Sequence, residues 1–348
     1  MKKYFFFILL LAFVMRGEEH HHGHHDEAFK LAPIGVMGSH VHGEGEFMFS
    51  YRYMFMEMEG LRDGNNRTSQ NDELGHMMPS LQRYPMLPRR MTMKMHMLGA
   101  MYGITDDWTM SLMIPWLENV MDSSSRMMPM SAINKFSTKS EGLGDIKLGS
   151  IYRFKKTEDY ELIFNLSLNL PTGSIGDKDS NPMSMGRNLR LGYPMQLGSG
   201  TFDLIPGVTL TGHNENWGYG AQALLNIHLG RNSEGYSQGD SLKLNTWLSR
   251  KITKNFSTSL RVELNSWKDY DGHVDELIGR QNMMPTADAD LRSGTRADLH
   301  LGFTYLFTEG ALCGNSIGLE AGMPFYQNID GPNLETDYTV TLGWQVRF

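Results

Sequence analysis

The chain has 348 residues, a formal charge of −7, 40% apolar residues and one cysteine. So mild a charge argues against a nucleic-acid protein, a mean hydropathy of −0.37 excludes a bundle of membrane helices, and a lone Cys313 excludes an internal disulfide. What remains is two soluble domains, or one large barrel in which only every second residue of each strand meets lipid.

At the N-terminus, Lys2 and Lys3 precede a dozen nearly pure apolar residues from Tyr4 to Met15. That run suits a secretory h-region and is too short to span a bilayer, so residues 1–17 are expected to be a signal peptide. Next comes a tract holding His20, His21, His22, His24 and His25 among Glu18, Glu19, Asp26 and Glu27. Neutral imidazole binds zinc and copper, and a sparser pair follows at His40 and His42. Residues 18–43 are expected to be a His-rich periplasmic leader or, through the poorly periodic 28–43, a plug folded into a pore.

From residue 44 onward the pattern is period two, the signature of strands. Predicted strands fall at 46–58, 91–103, 108–121, 143–154, 160–170, 201–212, 217–230, 240–251, 256–267, 295–307, 315–326 and 338–348. Residues 61–90 and 122–142 read as long loops on their Gly, Asn, Arg, Pro and Ser content. Short turns (104–107, 155–159, 213–216, 252–255, 308–314) alternate with longer connections throughout. Short periplasmic turns, long outer loops and about twelve strands describe an antiparallel up-and-down barrel of the outer membrane, an all-β fold. The last strand supports this, since Tyr338, Val340, Leu342, Trp344, Val346 and Phe348 share one face up to the terminal residue. Tyr102, Trp108, Trp116, Tyr152, Phe154 and Trp217 are placed to form interfacial girdles.

Methionine is the unusual component, at 27 residues. In the first strand Phe47, Phe49, Tyr51, Tyr53 and Phe55 share a face opposite Met54, Met56 and Met58. The second strand carries Met91, Met93, Met95 and Met97. Thioether sulfur is a soft donor that suits Cu(I), and adjacent strands would bring both sets together in the lumen, with Met113 extending the patch. If Lys94 and His96 face inward instead, the methionines coat the barrel for lipid or simply fill space. His228 and His300 fall at lumenal positions without a serine nucleophile motif, so no enzyme is expected.

The phrases Tyr102-Gly103-Ile104-Thr105-Asp106-Asp107, Gly142-Leu143-Gly144-Asp145-Ile146-Lys147-Leu148-Gly149, Leu170-Pro171-Thr172-Gly173, Gln196-Leu197-Gly198-Ser199-Gly200 and Pro324-Phe325-Tyr326-Gln327-Asn328 resemble those of the outer-membrane barrel transporters of the phenol-degradation meta-pathway type, over residues 44–348. The resemblance implies uptake or efflux of small, often hydrophobic molecules and brings no binding residues to transfer. The expected function is an outer-membrane channel for a small solute, linked to copper or another soft metal. The alternatives are a metal-capturing binding protein and a porter for small hydrophobic or aromatic compounds. No cofactor is required, copper or zinc being possible cargo. Expected partners are outer-membrane lipid, the barrel-assembly machinery and a small-molecule or metal-ion solute, with no nucleic acid.

Overall fold

The computed structural model describes residues 27–74, 84–126, 133–182 and 184–348. The predicted signal peptide and the histidines at 20–25 lie outside the described residues. The strands are β1 (Phe47–Gly64), β2 (Met86–Thr105), β3 (Trp108–Arg126), β4 (Ile133–Leu143), β5 (Ile146–Lys156), β6 (Tyr160–Leu170), β7 (Phe202–His213), β8 (Trp217–Leu229), β9 (Ser241–Lys251), β10 (Phe256–Trp267), β11 (Gly294–Leu306) and β12 (Asn315–Arg347). All pair antiparallel with their neighbours, and β12 returns to pair with β1, closing the cylinder. Eleven continuous strands form the wall, while β4 and the short strand Asn66–Thr68 lie beyond it.

The wall is nevertheless crossed twelve times, because β12 reverses at 330–332. Its first arm pairs with β11 and its second with β1. The two arms share an end, where Trp344 Nε1 donates to Asn315 Oδ1 at 2.8 Å. Each crossing is at least 11 residues long, which meets the roughly 9 to 11 a tilted strand needs to span the hydrocarbon.

Alternation sets the two faces. Phe164, Leu166, Leu299, Leu301 and Leu319 are exposed on the outside, whereas Asn165, Asp298, His300 and Glu320 are buried within. An apolar exterior over a polar interior is the arrangement only lipid rewards. Tyr102, Trp108, Trp116, Tyr152, Phe154 and Phe348 lie among the exposed outer residues.

Two expected loops are instead largely strand. β1 runs to Gly64 and β2 starts at Met86, while β3 continues to Arg126 paired with β4 from Trp116↔Leu143 to Arg126↔Ile133. These hairpins rise above the bilayer, where both faces are wet, so hydrophobic alternation fades although the backbone ladder continues.

Residues 27–46 lie inside the cylinder. Ala28 N donates to Lys254 O (3.1 Å) at the periplasmic turn between β9 and β10. Farther in, Gln222 Nε2 donates to Met37 O (2.8 Å) and Asn165 Nδ2 to Gly38 O (2.6 Å). The segment then reaches the opposite wall, where His42 N donates to Thr109 Oγ1 (2.8 Å) and Gly45 N to Gly103 O (2.9 Å). A Cβ on Gly103 would sit 1.9 Å from Gly43 O, so only glycine lets the segment rest on the wall there.

Two outcomes test this architecture. Phe348 exchanges two backbone hydrogen bonds with Phe47, at 2.8 and 3.2 Å, and packs its ring on Phe49. Deleting Phe348 is expected to abolish the heat-modifiable barrel in outer-membrane fractions, and normal yield would refute its role in closure. Exposed Cys313 lies in the periplasmic turn between β11 and β12. An impermeant maleimide should label it only after the outer membrane is permeabilised, whereas Cys313→Ser/Asn65→Cys protein should react on intact cells. The opposite pattern would invert the topology.

Candidate functional site: a two-sided lumen

The lumen has two unlike walls. On β1, β2 and β3 the inward positions pair as Met58↔Met91↔Met121, Met56↔Met93↔Asn119, Met54↔Met95↔Leu117, and Met48↔Met101↔Ser111. Opposed residues in an antiparallel sheet hold their Cβ atoms about 4.5 to 5.5 Å apart, so the thioethers gather into a Met-rich wall, interrupted between its outer and inner groups by the rows Arg52↔Met97↔Pro115 and Ser50↔Gly99↔Met113. Lys94 and His96 face outward. Lys94 Nζ lies 2.7 Å from Glu118, which also pairs with Lys139 at 2.9 Å. The Tyr51 hydroxyl lies 2.7 Å from His96 Nδ1. An ion pair near the outer interface removes the cost that a lone lipid-facing lysine would carry, which decides the parity of β2.

All seven expected methionines, Met54, Met56, Met58, Met91, Met93, Met95 and Met97, therefore lie on the lumenal side. The structure adds Met48, Met101 and Met121, which shared that parity in the sequence, and Met195 from an outer loop, which packs with Met91 and Met121. Nothing in the loop's pattern announced Met195.

The facing wall is a hydrogen-bonded belt. Thr209 Oγ1 donates to Asn165 Oδ1 (2.9 Å), Gln222 Nε2 to Thr209 Oγ1 (3.0 Å), Asn245 Nδ2 to Gln222 Oε1 (3.4 Å) and Arg261 Nη1 to Asn245 Oδ1 (2.6 Å). Arg261 pairs in turn with Glu263 and Glu320, and His300 Nδ1 lies 3.3 Å from Glu320. Asn165, Gln222, Arg261 and Glu320 are each the sixth residue from the periplasmic start of their strands, which sets the belt near mid-bilayer. Breaking one member of a buried ion pair strands its partner and costs about 3 to 5 kcal/mol. The belt is thus a rigid shelf, and residues 27–46 rest on it. A Cβ on Gly35 would come within 2.5 Å of both Arg261 Nη2 and Glu320 Oε1.

The outer end is capped. Tyr193, Tyr236 and Tyr270 pack with ring centroids 5.1 to 5.9 Å apart, in a cluster with Met86, Val274, Leu277 and Met284. Burial pushes all three phenols above the usual tyrosine range, so they stay neutral. The cap is anchored at Asp145, the kink between β4 and β5. Its carboxylate accepts from Gly173 N (2.9 Å) and Ser199 N (2.7 Å), while Thr172 Oγ1 donates to Gly144 O (2.8 Å). A Cβ on either Gly173 or Gly198 would come within 2.8 Å of the other's backbone. Three of the five sequence phrases quoted above therefore converge on one backbone crossing.

A family model described as "Putative MetA-pathway of phenol degradation" matches residues 91–283, more than half of the chain. The chain belongs to that family. The matched region runs from β2 through the cap and so contains the Asp145 anchor that the phenol-degradation phrases build. No curated protein matches the chain. Among solved structures, an outer membrane channel from Pseudomonas putida F1 is 13% identical, with 90% of this chain and 99% of that one covered at a TM-score of 0.58. The beta domain of the Bordetella autotransporter BrkA is 10% identical (88% and 100% covered, TM-score 0.45), and the CymD monoaromatic hydrocarbon channel 9% identical (92% and 94%, 0.41). The first of these shares the fold, and with the family it places this closed barrel in the outer membrane.

The remaining predicted site residues divide. His20, His21, His22, His24 and His25 are outside the described residues. His40 and His42 sit in the lumenal segment with ring centroids 4.9 Å apart. Among the described residues no group of three or more His, Cys, Asp or Glu is placed to hold a metal. His228 is engaged by Asp203 at 2.7 Å and Asn226 at 3.2 Å, both ring nitrogens being taken up without a serine.

The segment's seat makes a direct prediction. Gly35→Val should unseat it from Arg261 and Glu320 at a cost on the order of 1 to 3 kcal/mol. Single-channel conductance should then rise while the barrel remains heat-modifiable, and unchanged conductance would mean that residues 27–46 do not restrict flow.

Proposed function

We propose that the protein is a gated outer-membrane channel for small, predominantly apolar solutes of the aromatic class. The observation that supports this most is the thioether wall of Met54, Met56, Met58, Met91, Met93, Met95 and Met121 below the cap, facing a polar belt. Apolar surface left against water gains roughly 25 cal/mol for each Å² a solute covers, so a flat apolar molecule is drawn along the methionines. A hydroxyl on that molecule finds donors and acceptors across the lumen, and this division between apolar body and few polar anchors is what small-molecule sites use. Methionine suits the task because its flexible side chain adapts to different shapes. Membership in a family named for phenol degradation supports the same solute class. In this reading the cap and residues 27–46 are resting-state closures, and the barrel-assembly machinery inserts the chain.

Uptake by intact cells tests the reading, since an outer leaflet of lipopolysaccharide retards apolar molecules that ordinary vesicles pass. Expression should speed entry of phenol or a small apolar fluorophore more than that of a sugar of equal size. Met54→Asp/Met93→Asp, which places charge on the wall, should abolish the gain while leaving heat-modifiable barrel in the membrane. Equal acceleration of sugar and phenol, or an unaffected Asp variant, would overturn it.

A further inference from the structure

The apolar-solute reading uses the methionines as a greasy surface and leaves the buried histidine at the foot of that wall without a role. His42 is 1% exposed. Its Nδ1 lies 3.0 Å from Glu46 Oε1, an arrangement that keeps the ring proton on Nδ1 and leaves the Nε2 lone pair free to accept. Nε2 is buried and has no hydrogen-bond partner. Leaving a buried polar atom unsatisfied costs about 1 to 3 kcal/mol, and a carboxylate behind one imidazole nitrogen is the usual support for a metal on the other.

The surroundings choose the metal. Val41 packs against the cluster of Met48, Met101, Ile151 and Ile163, and His40, whose ring lies 4.9 Å from that of His42, lines one pocket with Met48, Met97, Met101 and Met113. These are soft or borderline donors with no carboxylate among them. Arg52 lines the same pocket. Coulomb repulsion from its guanidinium scales with the charge of the guest, so a divalent ion is repelled twice as strongly as a monovalent one. We propose that His42, held by Glu46, forms with the thioethers of Met48 and Met101 a binding site for a soft monovalent metal ion, Cu(I) or Ag(I). Farther out, the thioether pairs Met54↔Met95, Met56↔Met93 and Met58↔Met91 offer such an ion like donors between the outer cap and the Arg52 row.

The test uses full-length mature protein in detergent with His20, His21, His22, His24 and His25 all changed to Gln, so that the N-terminal tract contributes nothing. Ag(I), and Cu(I) without oxygen, are titrated against a competing chromogenic chelator, with Zn²⁺ as the hard comparison. One Ag(I) or Cu(I) per barrel should be retained. Met48→Leu/Met101→Leu, which conserves volume and apolarity, should weaken retention at least tenfold with heat-modifiability unchanged, and His42→Gln should do the same. The proposal is overturned if the tract-free barrel retains no Ag(I) or Cu(I), if the leucine variant retains as much as its parent, or if Zn²⁺ binds as tightly.

Discussion

Everything in this molecule depends on the pairing of its last arm with its first strand. In hydrocarbon an unpaired amide has no water to turn to and costs several kcal/mol, so a sheet that did not close would expose two ruinous edges. The ladder from Met48↔Arg347 to Leu61↔Leu334 removes both. Closure also creates an interior cut off from lipid, and only such an interior permits a polar belt and a buried chain segment at mid-bilayer. The ion pairs of Arg261 with Glu263 and Glu320 would be untenable on the outer face.

The two-sided lumen follows from how side chains alternate. Each strand donates alternate residues to lipid and to the interior, and lipid demands only that its share be apolar. The inward share is free to differ from strand to strand. Here β1 to β3 spend theirs on thioethers, and β6 through the first arm of β12 on amides and ions. The boundary falls at Arg52, which sits among methionines beneath the inner segment.

The wall was legible in the sequence because lipid enforces a strict period of two. Phe164, Leu166 and Leu168 could only face one way, whereas the facing of Met91 to Met97 stayed open between lumen and lipid and is decided by the Lys94–Glu118 ion pair on the outer side. What the sequence obscured lies where that enforcement ends. Above the bilayer, β3 and β4 continue through serines that read as loop. Tyr193, Tyr236 and Tyr270 belong to three separate loops, and their meeting in the cap is a long-range contact that no local period encodes. The phrases around Asp145, Gly173 and Ser199 were visible as phrases, yet their purpose, a crossing too close for any side chain, required the three to be seen together. The belt was likewise visible only as scattered inward polar residues of mixed charge.

The inner segment enters at the Lys254 turn and leaves directly into β1 at Phe47, so both of its attachments lie on the periplasmic side. Between these two attachments the described residues of the segment stay within the barrel. Any displacement that clears the lumen must consequently swing toward the periplasm, hinged near Gly45, and a pull from outside would only seat the segment more deeply against the belt. The barrel is therefore mechanically polarised: its inner closure yields to forces generated within the cell envelope and resists those applied from the surroundings.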